Sequence, residues 1–287
     1  MAHKVISFGD MLWDLFPEGP MFGGAPGNYA CHAARLGGEV YMVSGVGAGQ
    51  RGTEALAVLR AQGVRDELVQ RMDDYPTGIV TVEVDDGGKP TFEIGKDAAW
   101  DHWEWNGGIE KAVRTANAVY FGTLGQRGES PRAGIRKAMQ LAKDEGILRV
   151  LDVNLRPPFF TDALIRDSLA LASVFKLSDD ELQRVCSACG IPLSRANEDT
   201  LREILEKYEL EIVVMTKGDE GAVLLTPDTE FEQPGVEAEV VDTVGAGDSF
   251  TASMTLGLLR KDPFPKILRD ACEVAAAVCS HAGAVPE

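Results

Sequence analysis

The stretch D-T-V-G-A-G-D-S-F, residues 242–250, sets two acids around a run of small residues and leads into a long apolar segment. It reads as a glycine turn that becomes a helix. A helix start carries unpaired N–H groups and the positive end of the macrodipole, so Asp248 has two readings there. It stabilises the helix, or it is a base aimed at something the turn holds. The small residues leave successive amides open, and such amides at a helix start bind anions. A hydroxyl set between Asp248 and a bound phosphate would lose its proton while the amides held the developing charge. Phosphoryl transfer requires that layout.

Working outward, short apolar runs recur at Val5–Phe8, Val40–Val46, Val119–Gly122, Leu148–Val153, Ser173–Leu177 and Ile212–Thr216. Helix-like segments separate most of them, among them Pro26–Leu36, Thr53–Ala61, Arg132–Glu145 and Asp179–Cys189. Strands that are apolar throughout, alternating with helices, predict an α/β fold with a mostly parallel sheet covered on both faces. Gly247 to His281 reads as two helices interrupted around K-D-P-F-P. Residues 77–94 break the rhythm with period-two alternation around D-D-G-G, a β-hairpin signature. Met11–Met21 is expected to add a strand or two beside it, making a small β-layer that covers a cleft.

The chain has 287 residues, enough for one large domain, and a formal net charge of −17. Such a surface repels nucleic acid and anionic membrane, so neither is expected as a partner. A bound polyphosphate must be held by local donors and a metal. There is no apolar run of the roughly 18 residues that would read as a membrane span. M-A-H-K runs straight into V-I-S-F, which does not resemble a signal peptide. Five scattered cysteines fit reduced thiols, so a cytoplasmic protein is expected.

Three motifs compete with this reading. G-A-G-Q-R-G, residues 47–52, has the dinucleotide form, with Asp66 and Glu67 at a suitable distance for a ribose. It follows the second long strand rather than the first, and a tight turn explains three glycines on steric grounds. C-S-A-C, residues 186–189, has metal spacing, yet Leu182, Val185, Cys186 and Cys189 fall on one helical stripe. W-D-H-W-E-W, residues 100–105, reads as a junction anchor or an aromatic sugar platform. By contrast, G-G-A-P-G-N, residues 23–28, follows Asp10 and Asp14, which lie just past the first strand. Carboxylates and the Asn28 amide near a glycine turn suit a polyhydroxylated molecule.

Together these residues resemble the ribokinase-like, or pfkB, family of sugar kinases, and within it the bacterial fructokinases. D-T-V-G-A-G-D and G-G-A-P-G-N match the family's two signatures, and F-G-D-M-L-W-D-L-F-P resembles the fructokinase opening. D-V-N-L-R (152–156), K-L-S-D-D-E-L (176–182) and T-K-G-D-E-G (216–221) resemble its nucleotide-side motifs. The resemblance implies a single domain over 1–287, a three-layer sandwich with a β-lid from about 11–22 and 77–98. It implies an ATP-dependent sugar kinase acting on a primary hydroxyl, most closely that of D-fructose. Ribose, 2-keto-3-deoxygluconate or a nucleoside are alternative acceptors, and a non-catalytic binding protein or a dinucleotide oxidoreductase are rival classes.

The resemblance also implies roles. Asp248 would be the base, with Gly245, Ala246 and Gly247 supplying anion-hole amides. Asp10, Asp14, Gly23, Gly24 and Asn28 would hold the sugar. Asn154, Arg156, Lys176, Ser178, Thr216, Gly218 and the glycines of the turn would face the nucleotide. Glu181 would order Mg2+ through water, and Asp242, Val244, Ser280 and Gly283 would surround a monovalent cation such as K+. A homodimer paired through the lid is expected.

Overall fold

A computed structural model describes residues 2–17, 19–84 and 90–286. In chain order its elements are β1 (Lys4–Phe8), β2 (Leu12–Phe16), β3 (Gly19–Gly23), α1 (Ala25–Arg35), β4 (Glu39–Gly47), α2 (Gln50–Ala61), β5 (Val69–Met72), β6 (Gly78–Val84) and β7 (Pro90–Ile94). Then come α3 (Gly107–Arg114), β8 (Ala118–Phe121), α4 (Glu129–Asp144), β9 (Leu148–Asp152), α5 (Asp162–Leu171), β10 (Val174–Ser178) and α6 (Asp179–Cys189). The chain continues through α7 (Asn197–Lys207), β11 (Ile212–Thr216), β12 (Ala222–Leu225), β13 (Glu230–Gln233), α8 (Ala246–Arg260) and α9 (Phe264–Cys279).

Nine strands form one sheet in the order β13-β12-β11-β10-β9-β8-β1-β4-β5. All pairings from β11 to β5 are parallel, and β12 and β13 add an antiparallel edge. Strand residues alternate between two cores, as the pleat demands. Ile6, Phe8, Val213 and Met215 face one core with α3 to α7, and Val5, Ile212 and Val214 face the other with α1, α2, α8 and α9. Burial on both faces explains why these strands are apolar throughout rather than alternating. The fold is the α/β sandwich that the sequence pattern implied.

The second sheet has the order β3-β2-β6-β7. β6 and β7 pair antiparallel, and β2 and β3 supply the two strands expected from Met11–Met21. The D-D-G-G turn lies outside the described residues.

W-D-H-W-E-W anchors the junction between this sheet and the body. Trp100 and Trp103 are fully buried, so the sugar-platform reading fails for them. Between them, Asp101 takes two 2.7 Å hydrogen bonds from Arg127, which also donates to Gly95 O (2.6 Å) just past β7. The guanidinium lies 3.9 Å from the Trp100 ring centroid, a packed cation–π contact. C-S-A-C is core: Leu182, Val185, Cys186 and Cys189 are all buried.

G-A-G-Q-R-G is a packing device. A Cβ on Gly52 would lie 2.0 Å from Gly47 O, so α2 sits too close to the end of β4 for any side chain. Asp66 is taken by Arg60 at 2.7 Å, and Glu67 lies 3.8 Å from Arg65. Gly52→Ala is expected to cost about 2–3 kcal/mol of overpacking and lower Tm by about 5 °C. A thermal melt unchanged from wild type would contradict the steric account.

Candidate functional site

The parallel strands β1, β8, β9 and β10 end on one edge of the sheet, where an α/β fold binds ligands. A cavity of about 1240 Å³ opens there under the four-stranded sheet. It is lined by the segments after those strands, by the starts of α1 and α8, and by Phe16, Val80, Glu93 and Lys96 of the lid.

Glycines bring two carboxylates to the cavity wall. Gly24, at φ +100, caps α1, and a Cβ there would fall 2.7 Å from Asp10 O. A Cβ on Gly23 would fall 2.2 Å from Asp14 Oδ2. Gly23 does not itself line the cavity, but it makes room for the side chain that does. Burial pushes the Asp10 carboxyl up to about 6. Burial, and then the neighbouring Asp10, push Asp14 up to about 6 as well.

Pro26 lies in the first turn of α1, and its carbonyl accepts from Ser7 Oγ at 2.8 Å. That turn delivers Asn28 to α8, where Asn28 Nδ2 donates to Asp248 Oδ2 at 2.9 Å. Asn28 Oδ1 and the Tyr120 hydroxyl, both on cavity-lining residues, have no partner among the described residues. Buried polar atoms without partners are costly.

Asp248 is 8% exposed and sits in the first turn of α8. Burial raises its carboxyl to about 7, against the Asn28 hydrogen bond and the charges of Lys176 and Arg156, with Asp152 adding to the rise. It is therefore a base balanced near neutrality, where general-base catalysis is most effective. The turn before it is held from both sides. Gly245, at φ +83, leaves room for Ala284, whose carbonyl would lie 2.5 Å from a Cβ. Asp242 accepts from Val244 N (3.0 Å) and Gly283 N (2.9 Å). Asp242, Val244 and Gly283 thus come together as expected, while Ser280 caps α9 and donates to Ala276 O at 3.2 Å. Gly245 and Gly247 line the cavity; Ala246 does not.

On the far side, Asn154, Arg156 and Lys176 line the cavity. Asn154 holds φ +38, a strained conformation for a non-glycine residue. Ser178, Thr216, Gly218 and Glu181 lie outside the cavity wall. Ser178 and Thr216 are abreast at the ends of β10 and β11, and Gly218 follows in a short 3-10 turn. Glu181 closes a capping box on Ser178 (2.9 Å to N, 3.2 Å to Oγ) and accepts from Leu155 N at 2.6 Å. Both of its oxygens are engaged, so it anchors the Asn154–Arg156 loop. Among the described residues, no group of three or more His, Cys, Asp or Glu stands ready to hold a metal. Nor is any helix long and apolar enough to cross a membrane.

Sequence reasoning missed Asp152 and Tyr120. Asp152 opens the quoted D-V-N-L-R stretch, so its place at the end of a strand was available as a signal. Tyr120 was hidden inside an apolar strand.

A family model described as pfkB family carbohydrate kinase matches residues 21–287. Maize fructokinase-2 is 28% identical over 311 aligned residues, covering 99% of this chain and 90% of that protein. The fructokinase of Xylella fastidiosa with bound ATP superposes with a TM-score of 0.88 at 22% identity, over 99% of this chain and 94% of its own. The Vibrio cholerae O395 fructokinase bound to fructose, ADP and calcium gives 0.85 at 23% identity, over 99% and 94%. Such structural likenesses show the fold.

The raised Asp248 value has a consequence for stability. The folded protein keeps this proton to higher pH than the unfolded chain, whose carboxyl titrates at about 3.9. Its stabilising contribution is therefore full below about pH 4 and lost as pH rises through about 7. Asp248→Asn keeps a neutral group at every pH. Its Tm minus that of wild type, without ligand, should be near zero at pH 4 and positive by roughly 5 °C at pH 8. A difference that does not grow across that window would contradict the raised value.

Proposed function

We propose that this chain, which belongs to the pfkB family of carbohydrate kinases, transfers the γ-phosphoryl group of Mg-ATP to a primary hydroxyl of D-fructose, at O6. The observation that carries this reading is Asp248, buried in the first turn of α8 and raised to about 7, facing a cavity that also holds the Asp10 and Asp14 carboxyls. The names of the relatives support fructose as the acceptor. In the proposed reaction Asp10, Asp14 and Asn28 hold the sugar hydroxyls. Asp248 takes the proton of the attacking hydroxyl as the new P–O bond forms and the bond to ADP breaks. The first-turn amides of α8 hold the developing charge, above all that of Gly247, since the Ala246 amide donates to Thr243 O at 3.3 Å. Asn154, Arg156 and Lys176 face the phosphates.

The residues fit a metal that arrives with the nucleotide. No preformed acidic cage is present among the described residues, and Mg2+ is commonly bound through phosphate oxygens and water. Glu181, with both oxygens engaged, is suited to an indirect contact through water. The Asp242–Val244–Gly283 cluster is the candidate for a monovalent cation. Lid closure over the sugar would exclude water and limit ATP hydrolysis. Among the described residues, β3 and β7 are the edge strands of the lid, and edge strands are suited to pairing between two copies.

One observation favours a second acceptor class. Lys96 and Arg156 line the same cavity as Asp10 and Asp14, and two cations would suit a sugar acid. ADP release with Mg-ATP should be measured against fructose, ribose, 2-keto-3-deoxygluconate, tagatose 6-phosphate and adenosine. Fructose should dominate, and Asp248→Ala should cut turnover by about 10³-fold or more while Tm is retained. A faster sugar acid would move the assignment to the second class, and near-full activity of the variant would remove Asp248 as the base. Arg156→Ala should raise the KM for ATP about tenfold with little change in the KM for sugar; an unchanged ATP response would contradict its role.

A further inference from the structure

Behind the glycine turn Lys176 belongs to a buried ion pair whose acid, Asp152, no step above uses. Asp152 ends β9 and Lys176 lies beside it in β10, aligned in parallel register. The two oxygens of Asp152 are 3.2 Å and 3.4 Å from Lys176 Nζ. The side chains are 1% and 8% exposed. Thr251, fully buried in α8, places its hydroxyl 3.1 Å from Asp152 Oδ2 and 2.8 Å from Gly247 O. One hydroxyl proton serves one of these two acceptors at a time, so Thr251 links the carboxylate to the turn itself. A Cβ on Gly247 would lie 3.1 Å from Lys176 Nζ, so the ammonium sits directly against the turn.

Stability does not explain this pair. Burying two charges costs several kcal/mol each, and apolar residues of similar volume often do as well or better. Asp152 and Lys176 both reach the cavity wall, so the pair is spent on the cavity rather than on the core. Burial raises the Asp152 carboxyl, against the opposing pull of Lys176. Burial also works against the charge on Lys176, but Asp152, Glu181 and Asp248 outweigh it and hold the ammonium above its ordinary range.

We infer that Asp152 is a positioning residue: with Thr251 it aims the Lys176 ammonium at the anion held by the glycine turn, where Lys176 meets the phosphoryl group in transfer. The inference rests on the kinase reading given above. A chain of net charge −17 needs such a device. A free lysine would be drawn to any of the acids around the cavity, whereas one clamped by Asp152 keeps a donor facing the turn. A preorganised charge of this kind acts where negative charge develops.

The pair also sets the field at Asp248. That carboxyl faces Asn28 from α1, Tyr120 from β8, Asp152 from β9, Arg156 from the following loop and Lys176 from β10. Neutralising Asp152 removes a negative neighbour and frees a positive one, and both changes favour ionised Asp248.

The test is a double-mutant cycle of Asp152→Asn, Lys176→Met and the double variant, in the full-length protein. Each single variant should lose about 10²-fold in kcat, the scale of one preorganised donor, with the KM for sugar changed less than about threefold. The double variant should be no worse than Lys176→Met alone. In Asp152→Asn the acid limb of the kcat profile should move down by roughly one pH unit, which a purely structural role would not produce. Additive losses, or an unmoved limb, overturn the inference. Asp152→Leu combined with Lys176→Met supplies an apolar pair that folds if either polar variant does not.

A readout without turnover separates this inference from the kinase reading. Wild type should gain more in Tm from Mg-ATP than from Mg-ADP, because Lys176 meets the terminal phosphate. That extra gain should vanish in each single variant and fall no further in the double. If no acceptor releases ADP, the kinase reading fails while this difference still decides the inference. Absence of the extra gain in wild type, or its persistence in Asp152→Asn, overturns it.

Discussion

A hydrogen bond 2.9 Å long runs from Asn28 to Asp248, joining residues 220 apart in the chain. It closes the first βα unit onto the helix that begins the last part of the chain, and the cavity exists because both helix starts point into one space. The bond also eases the main electrostatic conflict of the site, favouring the ionised carboxylate against burial. Asp248 belongs at a helix N-terminus, where negative charge is favoured, yet it is buried, where charge is opposed. Burial prevails, and the carboxyl sits near neutrality at about 7. A surface acid at the same helix position would be a better cap and a poorer base.

The rest of the site preserves that compromise. The glycine turn needs rigid support, since an anion hole works only if its amides are already in place. Support comes from the C-terminal segment, through Asp242 and the close approach of Ala284 to Gly245. It comes also from α1, where His32 Nε2 lies 2.8 Å from Ala284 O. On the nucleotide side, Glu181 performs the same task for the Asn154–Arg156 loop through its bond to Leu155 N. Charge inside the cavity is set locally, by Lys176, Arg156 and Lys96 against Asp10, Asp14, Glu93, Asp152, Asp242 and Asp248.

Much of this was legible in the sequence because it is periodic or punctuated. Apolar runs such as Ile212–Thr216 gave the parallel strands, and K-D-P-F-P marked the break between α8 and α9. Period-two alternation gave β6 and β7. The glycine motifs gave the two helix starts that meet at the cavity. What stayed hidden depends on neighbours across strands. Asp152 and Lys176 are 24 residues apart and become a pair only through the register of β9 and β10. Glu181 reads as an aid to metal binding; that it also accepts from Leu155 N and Ser178 N, and so ties down a loop, is a bond that no local pattern announces. G-A-G-Q-R-G shows the reverse hazard. Its spacing is that of a cofactor motif, and its cause is the contact of Gly52 with Gly47.

The central claim is that the glycine turn and Asp248 bring a phosphoryl group and a sugar hydroxyl together. The most direct measurement is a crystal structure of the protein with fructose and a non-hydrolysable ATP analogue. The fructose O6 should lie within about 3 Å of an Asp248 oxygen. The terminal phosphate should lie against the amides of Gly245–Gly247, in line with that hydroxyl. Fructose bound away from Asp248, or a terminal phosphate distant from the turn, would contradict that claim.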